Sequence, residues 1–104
     1  MKIDASAFKE RFKNSPIKRT KRRGFLRNVA VALGNWGNPI AIPALCLGLY
    51  DEEILVRIHS AWALGKIKDK RAKIKLEKAK KIEKNIEVLD EIDASLKNLE
   101  KLKN

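Results

Sequence analysis

The sequence predicts an all-α fold, a small α-solenoid of about five to six short helices, and three observations predict it. Apolar residues recur at three and four, as in Leu26, Val29 and Leu33 and again in Leu55, Ile58 and Trp62. No run alternates Val, Ile and Thr between hairpin turns, so strand signals are weak. The segment Ala30-Val31-Ala32-Leu33-Gly34 returns as Ala61-Trp62-Ala63-Leu64-Gly65, 31 residues later. A helix pair repeated at such a period is the mark of stacked units that bury a continuous core between them.

Each element has a local reason. Asp4 or Ser6 caps a first helix that carries Phe8 and Phe12, and Ser15-Pro16 ends it, because the residue before proline resists the helical region. A second helix runs from about Lys18 to Leu33, where Gly34-Asn35-Trp36-Gly37-Asn38-Pro39 punctuates. A third spans about Ile40 to Leu49 and tolerates Pro43 in its first turn. Asp51-Glu52-Glu53 open a fourth, which ends near Lys66; acids suit the positive end of a helix dipole. Two more cover about Asp69 to Lys84 and Ile86 to Leu102. The 31-residue offset also pairs Leu45 with Leu76 and Ala63 with Ala94. One domain, 1–104, thus divides into an N-terminal helix (1–14), a first repeat (15–50), a second (51–84) and a capping helix (85–104).

A net charge of +11 on 104 residues points to a polyanionic partner. Residues 1–27 hold ten Lys/Arg against Asp4 and Glu10, whereas residues 28–50 carry no charged side chain. Residues 66–104 mix thirteen Lys/Arg with eight acids, the pattern of a solvated face supported by i,i+4 pairs. The arginine-rich segment is therefore the functional candidate. Arg19, Arg23 and Arg27 stand at i, i+4 and i+8, one stripe of the second helix, flanked by Lys18, Lys21 and Arg22. Phe25, Leu26, Val29 and Leu33 should enter the core. The stripe continues to Ala30 and Gly34, small residues that would let a ligand backbone approach. Arginine adds a planar fork that binds phosphate bidentately and stacks on bases.

Other chemistry finds no foothold. Cys46 is the single cysteine and His59 the single histidine, so neither a disulfide nor a metal site is expected. No base partners Ser15, Ser60 or Ser95, and Gly34-Asn35-Trp36-Gly37 follows no strand, which argues against a dinucleotide loop. His59 is expected to serve structure, and Trp36 to pack as a turn-capping core residue. No run resembles a signal peptide or a membrane span, so a cytoplasmic chain without membrane contact is expected.

The repeated helix pair is similar to degenerate HEAT repeats. Lys18, Arg19, Arg23, Gly24, Arg27 and Asn28, followed by Ala32, Gly34 and Asn35, resemble the C-terminal region of epoxyqueuosine reductases. Asn38-Pro39, Pro43-Ala44-Leu45 and the stretch from Leu55-Val56-Arg57 through His59 to Gly65 extend that likeness over about residues 8–67. In that family a small HEAT-like domain follows a catalytic part with cobalamin and iron–sulfur clusters. The resemblance implies a domain that helps grip the anticodon stem-loop of tRNA for queuosine maturation. On the basic helix Lys18, Arg19, Lys21, Arg22, Arg23 and Arg27 are then expected to contact phosphates, and Asn28 and Asn35 to add polar contacts or lock the inter-helix turn. The family's CxxCxxC ligands are missing, so the chain is expected to hold no cofactor and to catalyse nothing itself. Its expected partners are tRNA or other structured RNA and an iron–sulfur/cobalamin catalytic subunit or domain. The competing expectation is an interaction scaffold that docks an acidic partner on the basic helix.

Overall fold

The computed structural model describes residues 16–101. The expected helix over 1–14 lies outside them. Five helices follow in order: α1 (Pro16–Trp36), α2 (Ile42–Gly48) behind a 3₁₀ turn (Pro39–Ala41), α3 (Ile54–Ile67), α4 (Lys70–Ile82) and α5 (Ile86–Glu100). No strand occurs among the described residues. Helix α3 lies at the centre, packed on α1 at one side and α5 at the other, while α2 packs on α3 and α4 chiefly on α5. The core follows this stacking: Leu26 and Ala30 from α1, Leu45 from α2, Ala61, Ala63 and Leu64 from α3, Leu76 from α4, and Val88 and Ile92 from α5 are buried.

The helix ends are set by side chains. Gly37 adopts φ +73 and its N–H bonds the Leu33 carbonyl at 3.1 Å, closing α1 with a left-handed cap. Asn38 accepts the Ile40 N–H at 3.0 Å and starts the 3₁₀ turn, and Pro43 occupies the first turn of α2 as expected. Asp69 caps α4 by accepting the Arg71 N–H at 2.8 Å, and Asn85 caps α5 on the N–H groups of Glu87 and Val88.

Gly34 does not end α1, which runs on to Trp36. Its lack of a side chain serves packing instead. A Cβ there would lie 2.9 Å from both the Cα and the Cβ of Ala63 on α3. Gly65, its repeat counterpart on α3, meets Ser95 of α5 in the same way, where a Cβ would stand 3.0 Å from the Ser95 Cα. Ser95 also donates its hydroxyl to the Ala61 carbonyl at 2.7 Å, which satisfies the buried serine. The repeated glycine is thus the seat through which each stacked helix receives the next.

Candidate nucleic-acid interface

Helix α1 buries Arg22, Leu26 and Ala30, spaced i, i+4 and i+8, against α3. The packing of this helix corrects four expectations. Arg22 is only 4% exposed and forms a bidentate pair with the buried Asp51 through Nη2–Oδ1 and Nη1–Oδ2, the latter at 3.3 Å. It shares a face with Leu26, so it is a structural ion and not a surface phosphate ligand. Ala30 and Gly34 lie in the packed interface with α3, so no ligand backbone approaches there. Phe25, expected in the core, is 44% exposed, and Trp36 is 60% exposed instead of packing under the turn.

The remaining stripe is partly matched by acids from the turn before α3. Arg19 donates from Nε to Glu53 at 2.9 Å, with Glu52 at 3.7 Å, and Arg23 reaches Glu53 at 3.7 Å. The hydrogen bond to Glu53, then the charges of Glu53 and Glu52, hold the Arg19 guanidinium above its ordinary pKa. Arg19 nevertheless keeps a largely exposed side chain. Arg27 has no acidic partner among the described residues; its Nε donates to Asn28 Oδ1 at 3.4 Å. Lys21, Asn28 and Asn35 are exposed. Lys18 lies in the first turn of α1, and its side chain falls outside the described set.

The acids Asp51 and Glu83 belong to one repeated device. Asp51 stands three residues before α3 and Glu83 three residues before α5. Each holds an arginine of the preceding stacked helix: Arg22 on Asp51, and Arg57 on Glu83 at 2.9 and 3.2 Å. Each carboxylate also accepts the N–H two residues on, Glu53 at 2.9 Å and Asn85 at 3.1 Å. Arg57 links the two clamps, since its Nη1 donates to the Asp51 carbonyl at 2.8 Å. His59 is equally internal: its Nδ1 lies 2.8 Å from the Leu55 carbonyl, which only an N–H can satisfy.

The family model described as HEAT repeats matches residues 19–97. The chain belongs to the HEAT-repeat family. An epoxyqueuosine reductase of Xanthomonas campestris pv. campestris is 41% identical over 63 residues, 60% of this chain and 18% of that protein. A protein of Geobacillus stearothermophilus encoded in the gldA 3′ region is 32% identical over 102 residues, 97% of this chain and 46% of that protein. The crystal structure of a selenomethionine-labelled epoxyqueuosine reductase superposes with a TM-score of 0.72 at 30% identity, covering 94% of this chain and 26% of that one. The chain is therefore related to epoxyqueuosine reductases while spanning less than half the length of the relatives it matches.

The donor set of this HEAT domain does not fit an iron–sulfur cluster. Cys46 is half-buried, burial raises its thiol pKa, and no three His, Cys, Asp or Glu side chains gather to hold a metal among the described residues. No described helix is long and apolar enough to cross a membrane.

The sequence pattern understated one surface of the HEAT domain. Residues 66–104 read as mixed charge, but the helix boundaries sort the signs. Helix α4 carries Lys70, Arg71, Lys73, Lys75, Lys78, Lys80 and Lys81 against Glu77 alone. Helix α5 carries Glu87, Asp90, Glu91, Asp93 and Glu100 against Lys97 alone. One bridge joins them, Lys80 to Asp93 at 2.7 Å, and Arg71 folds back on Asp69 at 2.8 Å. Counting charges helix by helix would have revealed this division.

Proposed function

We propose that this HEAT-type domain is non-catalytic and binds RNA, positioning the anticodon stem-loop of tRNA for queuosine maturation carried out by a separate catalytic region. The relation to epoxyqueuosine reductases over this stretch is the observation that carries the reading. The net charge of +11 supports it, because an anionic polymer relieves the self-repulsion of such a surface. On α1 the contacts fall to Lys21, Arg23 and Arg27, with Lys18 in the same turn and Arg19 exchanging its hold on Glu53 for phosphate. Asn28 and Asn35 supply hydrogen-bonding groups on the exposed side of the helix. Arg22 contributes indirectly, by fixing α1 on α3. The domain works by supplying binding energy and orientation to chemistry elsewhere, in a cytoplasmic setting.

The test is a titration of labelled tRNA, unrelated duplex RNA and anionic liposomes at two salt concentrations. The expected order is tRNA first, with liposomes unbound. Replacing Arg23 and Arg27 by Glu should weaken tRNA binding about tenfold or more while leaving the fold intact, since neither side chain is buried. Unchanged affinity contradicts the reading. A second reading, a scaffold that docks an acidic protein, draws on the same surface and predicts no RNA binding at either salt.

A further inference from the structure

We infer that the solvent face of α4 is a second binding surface, for a phosphodiester backbone, separate from the arginines of α1. Charge is segregated by sign between α4 and α5. A helix that needs only solubility interleaves signs, because i,i+4 ion pairs stabilise it and like charges at that spacing destabilise it by about 0.2–0.5 kcal/mol per pair. Helix α4 does the opposite. Lys75 and Lys78 follow Arg71 at i, i+4 and i+7, a ridge about 10 Å long at about 1.5 Å rise per residue, whose first member is already held by Asp69 and whose two lysines are not. Lys70 and Lys81 extend the positive surface around the helix, with Glu77 the one acid between them.

The second observation is the contrast in pairing. The acids of the turn before α3 face Arg19, Arg22 and Arg23 of α1, whereas Lys70, Lys73, Lys75, Lys78 and Lys81 make no ion pair among the described residues. The acids of α5 are close in sequence, yet only Asp93 reaches across, to Lys80. Among the described residues, the larger unneutralised charge therefore lies on α4. It is built of lysines, flexible point charges that suit a phosphate chain of variable geometry more than a fixed bidentate site.

A membrane surface is the other polyanion to weigh. Nine positions of α4 are exposed, and only Ile74 and Ile82, at 57% and 63%, are apolar. An interfacial helix needs a broad exposed apolar face, and the apolar row of α4, Ala72, Leu76 and Ala79, is buried in the core. A phosphodiester chain fits; a bilayer does not.

That the chain is RNA rests on the function proposed above; that α4 holds a polyanion does not. The test replaces Lys70, Lys75, Lys78 and Lys81 together by Gln, which has nearly the helix propensity of Lys, with circular dichroism to confirm the fold. Three probes are used: an immobilised heparin column, a labelled anticodon stem-loop and vesicles of anionic lipid. The variant should elute from heparin at clearly lower salt and bind the stem-loop about tenfold or more weakly, with a shallower dependence of log K on log salt. Elution and stem-loop affinity equal to the parent's overturn the inference. So does a variant that loses only vesicle binding. If the parent binds heparin through α4 but ignores the stem-loop, the polyanion surface stands and the RNA reading falls.

Discussion

Arg22 and Asp51 make the strongest single-residue prediction. Removing one member of a buried, hydrogen-bonded ion pair strands the other, at a cost of about 3–5 kcal/mol. Arg22→Ala should therefore lower the urea midpoint sharply, and the double variant Arg22→Met with Asp51→Asn, which keeps an acceptor for the Glu53 N–H, should recover part of the loss. A surface role for Arg22 would instead leave stability unchanged. The glycines form a matched pair. Gly65→Ala places a methyl 3.0 Å from the Ser95 Cα, so α3 and α5 must part, at about 1–3 kcal/mol by the usual cost of overpacking. Gly24→Ala meets nothing within 4 Å in the interior of α1 and should stabilise by about 0.5–1 kcal/mol. Thermal denaturation of both variants checks the opposite signs. The glycine repeat was visible in the sequence, and small residues such as Ala61, Ala63 and Gly65 suit close helix packing; at Gly34 that purpose was hidden, because a glycine near the end of an apolar run reads as a stop until the neighbouring helix is known. Arg22 was legible in principle, since it stands four residues before Leu26 and eight before Ala30. Its charge masked its position on the core row, and the partner that makes burial tolerable lies 29 residues away.

At the scale of the element, the start of α4 is set by two features that a titration or a substitution can reach. The Asp69 carboxyl, bonded by the Arg71 side chain and backbone N–H, is lowered to about 2. A depressed carboxylate contributes its stabilisation fully above its unfolded pKa of about 4 and loses it as pH falls through its folded value. The cap should thus persist at pH 4 and weaken as pH approaches about 2, with the Asp69 carboxyl shift and the first-turn amides of α4 moving together in NMR. A carboxyl titrating near pH 4 would show that the cap does not form. At the junction with α3, Lys68 sits in the left-handed region at φ 59, where a side chain costs about 1–2 kcal/mol. Lys68→Gly should raise the melting temperature. The apolar spacing predicted four helices close to where they lie and misjudged the end of α1 by a few residues. The division of charge between α4 and α5 was within reach, since the expected boundary between Lys84 and Ile86 already falls in the turn between them; only the charges on each side were left uncounted.

For the whole molecule, the stack α1–α3–α5 explains why the two charged surfaces differ. The starts of α3 and α5 meet arginines of the preceding stacked helix, so Asp51 and Glu83 are spent on internal clamps, while Glu52 and Glu53 offset part of the charge of Arg19 and Arg23. What remains outward is cationic on the first half of α1 and along α4, and acidic on α5. The sequence disclosed the stacking through its repeat and the polyanion through its net charge. The distribution of charge over surfaces required knowing which acids the fold consumes. Titration of an anticodon stem-loop into the isotopically labelled chain, followed by amide NMR, reads that distribution directly. Shifts should concentrate on α1 between Lys18 and Asn28 and along α4, and fade as salt is raised, while α5 stays silent. Shifts centred on α5, or an unperturbed spectrum at low salt, would contradict RNA binding by these surfaces.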